Sequence, residues 1–117
     1  MTELLEALYR GDDARVSELL RGKPELNVFE AAAFGRTERL RELLDEDASL
    51  ANAFGDDGFQ PLGLACFFGH VEAARLLLGR GADPNLRQGG GFTALDSARQ
   101  NGEERLERLL RERGAEG

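Results

Sequence analysis

The chain repeats itself at a spacing of 33 residues. Gly58, Phe59, Leu62, Ala65 and Gly69 return as Gly91, Phe92, Leu95, Ala98 and Gly102. Arg75, Leu76, Leu77, Arg80, Gly81 and Ala82 return as Arg108, Leu109, Leu110, Arg113, Gly114 and Ala115, with no gap in between. A fixed period of this length marks one supersecondary unit copied along the chain. Such a unit is too small to bury its own apolar side, so its copies must lean on one another in a row. A second echo lies upstream at a spacing of 24, where Glu6, Ala7, Gly11, Arg15, Glu18, Leu19 and Leu20 return as Glu30, Ala31, Gly35, Arg39, Glu42, Leu43 and Leu44. Ala31 and Gly35 match Ala65 and Gly69 in turn. The sequence therefore predicts a single domain over 1–117. It holds four units, at approximately 2–27, 28–54, 55–87 and 88–117.

Each unit reads as two short helices. In the third, Pro61 suits a first helical turn, where its missing N–H is no loss. Leu62, Ala65 and Cys66 follow on one face, and Gly69 permits the left-handed turn that ends the helix. The stretch "VEAARLLLGR" gives a second helix, stopped by Gly81. "ADPNLRQGGG" is turn chemistry. Isolated helices of this length are marginal in water, so the stack supplies their stability. The predicted fold class is all-α: an α-solenoid of four stacked helix-turn-helix units. Short β-hairpin-like loops are expected between units two and three (near 51–60) and between three and four (near 84–93). The link "GKPELNVF" is too short for a full hairpin between units one and two.

Of the 117 residues, 41% are hydrophobic and 32% charged, the composition of a folded domain. Twenty-two acids against 15 bases give a net charge of −7. That opposes binding to nucleic acid or to an anionic membrane, both of which need clustered positive charge. A basic or neutral protein partner fits better. Cys66 is the single cysteine, so no disulfide can form within the chain, and a reducing, cytoplasmic setting is expected. No apolar run is long enough to span a bilayer.

The third unit resembles an ankyrin repeat. Gly58, Pro61, Leu62, Ala65, Gly69, His70, Leu76, Leu77, Leu78, Gly81, Ala82, Asp83 and Asn85 stand where that family's D-G-x-T-P-L-H-x-A-A … G-H … L-L-L … G-A-D-x-N pattern places them. Residues 89–117 match through Gly91, Thr93, Leu95, Ala98, Gly102 and "LLRERGA". Units one and two keep only the Ala–Gly–Leu-Leu skeleton. Gln60 and Gly63 replace the usual Thr and His of unit three, and Ala94 and Asp96 replace Pro and His of unit four. In the family that hydroxyl and imidazole help tie the turn to the next repeat. Both ends read as caps, with Thr2 and Glu3 opening the first helix and the charges of "EERLERLLRER" suiting a face without a neighbour. A complete array is therefore expected.

Catalytic chemistry finds no footing. His70 is the only histidine and occupies the ordinary Gly-His turn. Cys66 stands where a small core residue is usual. Asp56-Asp57-Gly58 lacks the alternating acids and closing Glu of a calcium loop, and "QGGGFT" lacks the Lys of a phosphate loop. No enzyme activity, cofactor or metal is expected. The resemblance instead implies a protein-binding module. It places the pairs Tyr9-Arg10, Ala33-Phe34, Phe67-Phe68 and Gln100-Asn101, with Phe59 and Phe92, along a concave groove. The expected interaction surface is Tyr9, Phe34, Phe59, Phe67, Phe68 and Phe92, with Gln100 and Asn101 at one end and Asp56 and Asp57 as an acidic rim. Aromatic anchors inside a polar rim are the usual anatomy of a binding hot spot. Packing of these rings on one another and on the loops is the competing expectation. So is self-association, in which the same patch pairs two copies and the chain is a weak homodimer rather than a monomer.

Overall fold

A computed structural model of the chain describes residues 2–22 and 25–116. Lys23 and Pro24, part of the link discussed above, lie outside the described residues. Eight α-helices are present among those described: α1 (Glu3–Arg10), α2 (Asp13–Arg21), α3 (Val28–Ala33), α4 (Thr37–Glu46), α5 (Pro61–Phe67), α6 (Val71–Gly79), α7 (Ala94–Gln100) and α8 (Glu104–Glu112). They form four pairs. The first helices pack in the order α1, α3, α5, α7, and the second helices α4, α6, α8 form the other layer. The molecule measures 39 × 30 × 24 Å along its principal axes.

Local chemistry sets the helix starts. Thr2 accepts the Leu5 N–H through its hydroxyl and caps α1. Asn27 and Thr93 each form a reciprocal capping box, with Glu30 and Asp96 respectively. Pro61 sits in the first turn of α5. At the far end of that helix Gly69 takes φ +79°, and the chain turns so that the His70 N–H reaches the Ala65 carbonyl.

One core runs through the stack. Leu40, Leu44, Leu62, Leu77, Leu95, Leu106 and Leu110 are its largest fully buried apolar side chains. Leu62, Ala65 and Cys66 are buried as the sequence predicts. The ends differ. In α2 no residue is fully buried, and Val16, Leu19 and Leu20 only lean on the core. In α8, Leu106, Leu109 and Leu110 are buried beneath a charged outer face.

The two long connections are tight loops. Gly55 donates its N–H to the Phe59 carbonyl, and Gln88 donates to the Phe92 carbonyl. No strand forms among the described residues; a short 3₁₀ turn over Ala48–Asn52 precedes the first loop, and another over Gly89–Gly91 lies within the second. The loops touch each other through the Gly89 N–H and the Gly58 carbonyl, 3.0 Å apart.

Polar ties between units recur at the repeat spacing. The Asn52 amide donates to the Gly81 carbonyl and accepts the Asp83 N–H; 33 residues on, Asn85 does the same with Gly114 and Glu116. The carbonyls of Ala33 and Phe67 are also equivalent, yet different residues reach them. His70 donates to Ala33 through Nε2 at 2.8 Å, and its ring fills the space above Gly35. Unit four has Glu103 in the place of His70, which offers no proton to a carbonyl. Asn101 donates to the Phe67 carbonyl instead, at 2.6 Å.

Candidate functional site

The candidate surface begins where α1, α3 and α5 end. Tyr9 lies in the last turn of α1, and its ring stacks on Phe67 of unit three at 5.5 Å between centroids. Phe67 meets Phe68 edge to face at 4.9 Å. Both arrangements are favourable ring geometries. Tyr9 is 59% exposed, and Phe67 and Phe68 are half-buried.

The remaining sequence-predicted residues divide. Phe59 and Phe68 pack on a small satellite cluster built on Leu5, Ala33 and Leu64, with Leu8 and Phe29 beside them. Phe34 leans on the main core. These three rings are therefore partly buried against the domain's own clusters. Phe92 is 48% exposed and lies over Gly90 of its own loop. Gln100 is exposed, while the amide of Asn101 is committed to the Phe67 carbonyl. Asp56 is exposed. Asp57 is half-buried, with one carboxylate oxygen accepting the Phe59 N–H at 3.0 Å, so it shapes the loop as much as it charges the rim.

Two aromatic residues outside the sequence-predicted set belong to this neighbourhood. Phe54 is 50% exposed. It shares a shallow hollow with Phe29, Leu5, Thr2, Asn27, Asp56 and Asp57. Its position directly before the "GDDG" turn was the available signal, because a loop tip of this kind leaves a preceding ring little to pack on.

Among the described residues no group of three or more His, Cys, Asp or Glu side chains could hold a metal ion, and no helix is long and apolar enough to cross a membrane. Cys66 is fully buried, and burial pushes its thiol up to about 12. A thiolate is the reactive form, so this cysteine is inert. The shift has a consequence for stability. Above pH 9 the unfolded thiol ionises while the folded one keeps its proton, so stability falls as pH rises from 9 toward 12. The expected loss from this group is about 1.4 kcal/mol by pH 10. Urea unfolding of the wild type and Cys66→Ala at pH 8 and pH 10 checks it: the variant should lose that much less over the same interval, and equal losses would rule out the buried, neutral thiol.

The repeat ties, the caps and the two helix layers agree with the sequence comparison. A family model described as ankyrin repeats, three copies, matches residues 2–88 and again 28–117. The chain belongs to the ankyrin repeat family. It is similar to the mouse ankyrin repeat and SAM domain-containing protein 6, at 32% identity over 77% of this chain and 10% of that protein. It is 38% identical to the human DNA-binding protein RFXANK over 66% of this chain and 29% of that one. An ankyrin repeat-containing protein of Treponema pallidum is 37% identical over 81% of this chain and 31% of its own length. The chain thus spans at most about a third of these relatives. Ankyrin repeats are in general non-enzymatic modules that bind protein partners.

Proposed function

We propose that this ankyrin repeat protein is a non-catalytic interaction module. It holds a protein partner against the aromatic row of Tyr9, Phe67 and Phe68, flanked by Phe34, Phe59, Phe54 and Phe92. The observation that carries this reading is the Tyr9–Phe67 stack. A ring pair shared by two units, with Tyr9 more than half exposed, offers apolar area of the kind that marks an interaction site. The partner's chemistry follows from the charge. A chain at −7, with Asp56 exposed beside the rings, attracts a basic segment carrying apolar side chains. The rings supply affinity, and the acids speed the encounter. The same charge opposes pairing with a second copy. A reducing, cytoplasmic compartment suits a chain with one buried cysteine.

The test separates binding from packing and from self-association. Wild type and a Tyr9→Ser/Phe67→Ser variant are used as baits in an extract of the native host. A partner that the wild type retains at low salt should be lost at least tenfold with the variant and weakened by salt. The melting temperature should fall by only a few degrees, because the variant loses ring–ring contacts but no residue of the satellite cluster. Loss of binding together with folding would favour packing as the role of these rings. Sedimentation velocity over a concentration range should give a monomer, and a dimer abolished by the same variant would replace this reading with self-association.

A further inference from the structure

The connection between α6 and α7 is tied at its start by Asn85 to Gly114 and Glu116, but its second half has little side chain to hold it against unit three. Three of its residues are Gly89, Gly90 and Gly91, and between 83 and 93 only Gln88 is buried, at 4% exposure. Its side chain lies in a slot on unit three. There Oε1 accepts the Gln60 N–H at 2.8 Å. A Cβ on Gly63 would fall inside the Gln88 carboxamide. The slot therefore exists only because position 63 has no side chain. Beside it the backbones are in direct contact, and a Cβ on Gly89 would come within 2.6 Å of the Asp57 carbonyl oxygen.

The docked arrangement is also opposed. The side-chain Nε2 groups of Gln60 and Gln88 are both buried and have no hydrogen-bond partner. Docking offers neither donor an acceptor from the protein, and a buried donor without one opposes the docked arrangement. One buried bond and one backbone contact hold this part of the loop against unit three, and two donors without a protein acceptor oppose them.

We propose that Gln88 is a latch. With its side chain in the Gly63 slot, the glycine strap 86–92 is docked on unit three. With the side chain withdrawn, both amides are hydrated, and the strap swings away carrying Phe92 while the helices keep their packing. For its effect on partner binding the latch rests on the reading above, through the placement of Phe92. The latch itself is tested with no partner present.

The experiment is native-state amide hydrogen exchange followed by NMR. In the wild type, the Gln60 and Gly89 amides should exchange at least tenfold faster than the protected amides of α5 and α7. In Gln88→Ala the Gly89 amide is diagnostic, since its own acceptor, the Gly58 carbonyl, is untouched. Its protection should fall at least a further tenfold while α5 and α7 stay within about threefold. Gly63→Ala fills the slot from the other side and should give the same loss. The Gly63→Ala/Gln88→Ala pair should be no worse than the worse single variant, because each change expels the same latch. The proposal is overturned if Gly89 exchanges at the rate of α5 and α7 in the wild type, or if Gln88→Ala leaves it protected. Losses that add in the double variant also count against it. Where Gly63→Ala does not fold, the wild type and Gln88→Ala decide.

Discussion

Leu77→Ala should cost about 3–5 kcal/mol of folding free energy, the upper part of the range for a buried leucine. Leu77 is fully buried in α6. Of the second-layer helices, α6 has a packed neighbour on each side, α4 and α8. A cavity there weakens two interfaces at once. In a stacked array, stability is close to a sum of unit terms and nearest-neighbour interface terms, so a central cavity costs more than one at an end. The total stability of a domain this size is only about 5–15 kcal/mol, and the variant loses a large share of it. Urea unfolding followed by helical circular dichroism measures the effect. Leu78→Ala is the internal comparison. That residue is half-buried against the same core and should cost about 1–2 kcal/mol, because less buried apolar area is lost. Equal costs at the two positions would mean that Leu77 is not where the units interlock.

The sequence grouped Leu77 and Leu78 together in the Leu-Leu-Leu run of unit three, and only the packing separates them. The 33-residue spacing placed the helix pairs, and the glycines placed the turns. What the sequence hid were substitutions made from across an interface. Gly63 reads as a lost histidine until Gln88 is seen filling its space from the next loop. Glu103 reads as a lost donor until Asn101 supplies one two residues earlier in the chain. A linear pattern compares a residue with its counterpart in the next unit, whereas hydrogen bonds are satisfied by whatever side chain is near. The surface was legible in part for the same reason. Tyr9 and Phe67 were placed in one row, but a repeat pattern compares equivalent positions and does not show that rings of units one and three stack directly. Phe54 was passed over because it falls outside the repeat's matching positions. Glu6 and Glu30 were equated at the 24-residue spacing, and their surroundings are opposite: Glu6 is exposed and Glu30 fully buried.

That burial sets up the second large effect. Glu30→Ala should destabilise the protein by about 3 kcal/mol, a cost set by stranded donors and not by lost volume. One carboxylate oxygen of Glu30 accepts the Asn27 N–H at 2.9 Å, closing the capping box of α3. The other accepts the Thr2 hydroxyl at 2.9 Å. Thr2 in turn accepts the Leu5 N–H, so a single buried carboxylate joins the starts of α1 and α3. Removing it leaves the Asn27 N–H and the Thr2 O–H, both half-buried, without this acceptor. The pattern Asn-x-x-Glu before a helix announced the cap, but the link to Thr2 depends on how units one and two stack. Glu30→Gln separates the two roles. Its amide oxygen can still take the Asn27 N–H, but its amino group faces the Thr2 hydroxyl as a second donor. That hydroxyl must then turn to accept while still serving Leu5. The expected cost is about 1–2 kcal/mol, with the Leu5 amide losing protection in hydrogen exchange and the Glu30 amide, bound to Asn27, keeping it. If alanine and glutamine cost the same, the carboxylate is not what fastens unit one to unit two.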